Sequence, residues 1–287
     1  MKFTYLALLK LFESRKVTMQ DVQRNIGGSY LESLEGFERG YNYGGQKSLN
    51  GLAMMTVFLD NSRVIEQRTS SIEGLELTIE DFLDRFTNYG CYCWILGPLR
   101  GVIGGGQTKD AIDSLCGELY KCYKCLNIDF GAKDTMFQYN VNLIENNDGQ
   151  RELECVDGDN KDACLCDVMF AEKMSVVNSQ CEADLANGVT DSMFCVNDEF
   201  RTSNGGGNFD PFDNSADGCL KVNMDNHNAK DACCGEYPDR LPFDSGNREC
   251  CQMSHNDGVS SFTQDKIVPA FTCEDRGGSL VEVLLED

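Results

Sequence analysis

Sixteen cysteines, all lying between residues 91 and 273, constrain this chain more than any other feature. In a reducing compartment so many thiols would need metal or catalytic duties. The pair Cys122-Tyr-Lys-Cys125 suits redox or zinc chemistry in isolation. No second pair follows at zinc-ribbon spacing, however, and the chain has only two histidines. An even, high count without a zinc pattern reads as a disulfide framework built in an oxidising compartment.

The remaining composition narrows the partners. Against 25 Lys+Arg stand 47 Asp+Glu, a net charge of −22. That balance disfavours nucleic acid and anionic membrane surfaces, which attract basic proteins. It favours cations, calcium foremost, and basic partner surfaces; it equally serves to keep a secreted protein in solution. "MKFTYLALLKLF" at the start carries a basic residue and a short apolar run, as a signal peptide does, but also reads as an amphipathic helix. No stretch is long and apolar enough to span a bilayer, and no Asn-x-Ser/Thr sequon occurs.

Along the chain, residues 1–74 form a region of unknown role, helical over 1–34 and a Gly/Tyr-rich loop over 35–52. "LAMMTVFL" (52–59) reads as a strand or a buried helix. "LTIEDFLDRF" (77–86) has helical apolar spacing, with Thr78 and Asp81 as its cap. Helices are expected over 108–126 and 159–177, with a β-hairpin between them turning at Asn147-Asp148-Gly149. Residues 203–218 are a Gly/Asn/Asp linker, with "GGGQT" (104–108) a flexible connector. The tail, 219–287, is acidic and holds two adjacent-cysteine pairs, Cys233-Cys234 and Cys250-Cys251.

Three blocks in the middle of the chain, "FTNYGCYC" (86–93), "DSLCGELYKCY" (113–123) and "CLCDVMFA" (164–171), resemble in order and spacing the signature blocks of secreted phospholipase A2. The resemblance covers roughly residues 75–202. It implies a mainly α, disulfide-rich fold: a pair of cross-linked antiparallel helices with a small β-hairpin, followed by a cysteine-rich irregular C-terminal segment. It also implies the bridges Cys93–Cys116, Cys122–Cys166 and Cys155–Cys164. Cys91 and Cys125 then seek partners in the later segment, where Cys181 and Cys195 are available. One family bridge is lost at both ends, since its positions are Leu115 and Lys173.

The same mapping implies a disabled catalytic site. An active member needs a histidine to activate water, and a calcium ion held by loop carbonyls and an aspartate. The histidine position is Leu119, the calcium-ligand position is Tyr120, and the loop-glycine positions are Trp94 and Leu96. Leucine carries no proton, and a phenol is a poor substitute for a hard carboxylate ligand. Tyr123 and Asp167 match the residues that support the histidine; without it they read as a buried hydrogen bond between helices.

Other chemistry is thin. Asp157, Asp159 and Asp162 resemble the start of a calcium loop, but Asp162 and Val168 occupy the sixth and twelfth places where an EF-hand wants glycine and glutamate. They read as a weak surface calcium site or as an acidic turn capping the next helix; no other cofactor is expected. His227 and His255 sit in polar stretches and read as surface residues. "ACCGEYPDRLPFDSGNRECC" (232–251) resembles the di-cysteine repeats of galaxin-type matrix proteins, though only one copy is present.

The expected function is therefore that of a secreted, non-enzymatic structural or extracellular-matrix protein, in a calcium-rich, mineralised or fibrous setting, as with otoconin-type proteins. Its expected partners are itself, other matrix proteins, or calcium and mineral, with some cysteines able to link chains. The alternative is a soluble binding module that keeps an apolar lipid-type pocket lined by Trp94, Leu96 and Leu119.

Overall fold

In the computed structural model, the described residues are 52–53, 55–60, 79–93, 106–131, 139–145, 151–201, 207–210, 219, 230–256 and 261–281. The expectations for residues 1–50, for the cap at Thr78, for the 147–149 turn and for most of the 203–218 linker fall outside them.

Two long helices carry the body. After a short helix α1 (Ile79–Phe86), α2 (Ala111–Phe130) begins at Asp110, whose backbone is extended and whose carboxylate accepts the Asp113 N–H at 2.9 Å. It ends at Gly131, where φ is +70° and a side chain would be strained. α3 (Lys161–Ala186) runs nine residues past its expected end at 177, because no proline or glycine interrupts it before Gly188. Its N-cap, Asn160, makes no side-chain cap hydrogen bond, so the preceding acidic turn does not cap the helix as expected.

The two helices run antiparallel. The Tyr123–Asp167 contact lies later on α2 and earlier on α3 than the Glu118–Lys173 ion pair, whose N–O separation is 2.8 Å. Cys122–Cys166 bonds them covalently. The hairpin of β1 (Val141–Glu145) and β2 (Arg151–Cys155) pairs antiparallel with Leu143 opposite Leu153, and Cys155–Cys164 ties it to α3. The 52–59 run is helical where described, not a strand. Its Leu52, Met55 and Phe58 join Phe82, Phe86, Leu119, Leu126, Phe170 and Met174 in one apolar core. Thus residues before 75 share the core of the region after it.

The tail departs from expectation. It is not irregular but built of small antiparallel sheets: β3 (Ala232–Cys234) with β4 (Leu241–Phe243), and β5 (Arg248–Asn256) between β6 (Ser261–Pro269) and β7 (Ser279–Leu280). With these strands counted, "mainly α" does not describe the chain; it is a disulfide-rich fold of few helices and small antiparallel sheets. The reason is local. Successive strand residues face opposite sides, so Cys233 reaches Cys125 on α2 while Cys234 reaches Cys250 within the tail. Cys251–Cys273 closes the larger sheet.

All sixteen cysteines close into eight intrachain bridges. Cys93–Cys116, Cys122–Cys166 and Cys155–Cys164 pair as the resemblance implied. Cys91 and Cys125 do find later partners, but in the tail, at Cys219 and Cys233. Cys181 and Cys195 pair with each other, because the chain folds back after α3 and they are only 14 residues apart. No thiol is left to link one chain to another.

Candidate functional site

Two buried carboxylates organise the region that the sequence singles out. Asp167, on α3, is fully buried and accepts hydrogen bonds from the hydroxyls of Tyr123 on one oxygen and Tyr139 on the other. Tyr139 leads into β1 and is buried in the same two-residue phase as Val141 and Leu143. Burial pushes the Asp167 carboxyl up to about 7, even though both hydroxyls pull it the other way. Tyr139 is itself held well above the ordinary phenol range by burial and by the adjacent Asp167 charge.

Asp113, in the first turn of α2, is the second carboxylate. Its Oδ1 accepts from the Cys91 and Tyr92 backbone N–H groups at 2.9 and 2.8 Å, and its Oδ2 from Lys109 N–H at 3.0 Å. Burial raises its pKa, and those three donors oppose the rise. Gly90, φ +58°, lets the 88–93 turn wrap this carboxylate. Nearby, Tyr89 donates to Asp110 and accepts from the Asn197 N–H at 3.0 Å. Burial, then Asp110, raises the Tyr89 phenol above its ordinary range.

The positions that the resemblance assigns to catalysis are placed as follows. Leu119 is 3% exposed and belongs to the apolar core, one turn before Tyr123 on α2. Tyr120 is half-buried and packs edge-on against Tyr92, with ring centroids 5.9 Å apart. Trp94 and Leu96 lie outside the described residues. Leu115 is buried, and Lys173 pairs with Glu118.

The candidate cation ligands do not converge. Asp157 bonds Lys161, whereas Asp162 faces Asp129 and Arg240. Among the described residues, no group of three His, Cys, Asp or Glu side chains is arranged to hold a metal ion. His255 stacks on Phe262 at 5.2 Å, with Lys266 Nζ 3.4 Å from its Nε2; His227 lies outside the described residues.

Sequence reasoning missed three residues. Tyr139 completes the Asp167 cluster, and its alternation with Val141 and Leu143 was the signal that could have found it. Arg240 and Tyr237 anchor the tail to α2: Arg240 Nε and the Tyr237 hydroxyl both donate to Asp129 Oδ2 at 2.7 Å. No local pattern marks that pair, because its partner lies 111 residues away.

Taken chemically, each carboxylate spends its oxygens on holding backbone or tyrosines in place. Comparison with known protein families, with curated proteins and with solved structures returns no match. No helix among the described residues is long and apolar enough to cross a membrane.

Proposed function

We propose that this chain is a secreted, non-catalytic structural protein of an extracellular matrix, on a degenerate phospholipase A2-like frame. The observation that carries the reading is Leu119. It sits in the apolar core, one turn from the Tyr123–Asp167 contact, where a hydrolase of that family would need an imidazole. A leucine there moves no proton, and Asp167 is already engaged by two hydroxyls.

Eight disulfides support an oxidising, extracellular setting. They also support a scaffold role, since bridges closing loops of this size each contribute about 2–4 kcal/mol without a large core. With every thiol closed, assembly proceeds through non-covalent surfaces, and the strong negative charge suits surroundings rich in calcium or basic proteins.

Fractionation of the tissue that secretes the protein tests the reading. The expected result is recovery with the insoluble matrix and release by calcium chelation or high salt. Recovery entirely in the soluble secreted fluid contradicts it.

A further inference from the structure

Strand β6 (Ser261–Pro269) closes one side of the tail sheet and leaves its own outer edge open. It pairs with β5 along all nine of its residues, and among the described residues no strand lies beyond it. On the other side of β5, β7 covers only Cys251 and Gln252. Past Gln252 the sheet is therefore a ribbon two strands wide. Ser261, Phe262, Thr263 and Gln264 are exposed there, on both faces. Val268, at the other end of β6, is buried in a cluster with Cys251 and Cys273. A two-stranded ribbon exposed on both faces is marginal in water, and a further strand is what stabilises one.

The register shows which backbone groups the edge offers. Ala270 N–H donates to the Asn247 carbonyl at 3.0 Å, in phase with Val268 opposite Glu249, Lys266 opposite Cys251 and Gln264 opposite Met253. Hydrogen-bonded pairs alternate along an antiparallel ladder, so even-numbered residues of β6 turn their N–H and C=O groups towards β5. Val281 N–H donates to the Cys250 carbonyl, which sets the same alternation on β5 from its other side. Ser261, Thr263, Asp265 and Ile267 thus point their backbone groups outwards, and Pro269, with no N–H, ends the edge. Charges blunt such an edge against indiscriminate pairing, but β6 carries only Asp265 and Lys266, of opposite sign.

We propose that this edge pairs antiparallel with the β6 edge of a second copy of the chain, Gln264 facing Gln264 across a two-fold axis. Charge selects the register. The same patch serves both copies, so the residue on the axis faces itself. With Asp265 or Lys266 there, like charges stand directly opposite, which is destabilising. With Gln264 there, Thr263 faces Asp265, Phe262 faces Lys266 and Ser261 faces Ile267. No like charges meet, and every outward N–H and C=O from 261 to 267 finds a partner. Each Lys266 ammonium also reaches the Phe262 ring of the other copy, a contact made twice by symmetry. With Thr263 on the axis, Ile267 would face residue 259, beyond the start of the strand. The net charge of −22 on each copy opposes approach, so association strengthens as salt screens it. This pairing rests on the matrix reading, in which copies of the chain are partners, and gives that reading a surface.

Sedimentation equilibrium of the purified full chain, in about 0.15 M and about 0.5 M NaCl, tests the pairing. A reversible monomer–dimer equilibrium with a Kd below about 100 μM is expected, tightening about threefold at the higher salt. Thr263→Pro removes an outward N–H, which an edge strand tolerates, and should weaken dimerisation about tenfold; Thr263→Val, which keeps the N–H, should not. Gln264→Lys and Gln264→Glu should each weaken it about fivefold, and their equimolar mixture should dimerise at least as tightly as wild type. These exposed-site variants keep the test decisive should the proline disturb the fold. A chain that stays monomeric up to about 100 μM leaves the edge to a strand of another protein and overturns the proposal. So does a dimer that Thr263→Pro leaves intact, or a Gln264 mixture no tighter than either variant alone. Purified protein decides the pairing and tissue fractionation decides the matrix reading, so the two fail separately.

Discussion

Gly90 and the Asp113 carboxylate are in direct contact: a Cβ on residue 90 would lie 2.3 Å from the Asp113 Cγ and 2.4 Å from its Oδ1. The contact explains both residues. The carboxylate gathers the Cys91 and Tyr92 N–H groups only because the turn before them presents bare backbone to it, and φ +58° at residue 90 disfavours any side chain there. Gly90→Ala should therefore destabilise the protein by about 3 kcal/mol, from clash and strain together. Gly131→Ala, at φ +70° with nothing within 4 Å, should lose only about 1 kcal/mol. Denaturant unfolding of the two variants checks the contrast; equal losses would refute the role given to Asp113.

Asp167 gives the fold a pH dependence of definite sign. Its folded pKa is raised, from 3.8 to about 7, so between those values the folded chain holds a proton that the unfolded chain has released. This group's contribution to stability is greatest in acid and falls as pH rises through that window, by about 1.4 kcal/mol per pH unit at the steepest. Asp167→Asn keeps the shape without the titration. Stability measured at pH 5 and pH 7.5 should show wild type losing ground to the variant as pH rises, and parallel curves would contradict the assignment.

Arg240 is the non-covalent half of the tail's attachment. Its guanidinium meets Asp129 with Nε at 2.7 Å and Nη2 at 3.3 Å, and also donates to the Gly235 carbonyl. Arg240→Ala should cost about 1–3 kcal/mol, since the partly buried Asp129 then keeps only Tyr237. The Cys125–Cys233 bridge still tethers the tail, so the loss should be local. Amide hydrogen exchange should quicken over residues 232–234 and 241–243 and stay unchanged in α2.

Peptide mapping without reduction should recover Cys91 joined to Cys219 and Cys125 joined to Cys233. Replacing Cys125 and Cys233 together by alanine should cost about 2–4 kcal/mol, with the tail strands opening first. Recovery of Cys91 or Cys125 bonded to Cys181 or Cys195 would contradict the fold.

The body of the fold was legible in the sequence because its signals are local. Apolar spacing marked α1, the lack of proline or any breaker but Gly117 marked α2, an acidic turn marked the start of α3, and alternation about Asn147-Asp148-Gly149 marked the hairpin. The ends were harder: α3 continues to Ala186 because only a breaker would stop it, and the first comes at Gly188. The tail's strands escaped notice because β6 is largely exposed, which leaves no apolar alternation to read. The Asp129–Arg240 tie joins residues more than a hundred positions apart, and only the folded chain brings them together.

Hydrolysis of phospholipid micelles by the purified protein in millimolar calcium is the most direct test of the central reading. With Leu119 in the core and Asp167 held between Tyr123 and Tyr139, fatty-acid release should not exceed that of buffer alone. Calcium-dependent release that disappears on chelation would contradict the account.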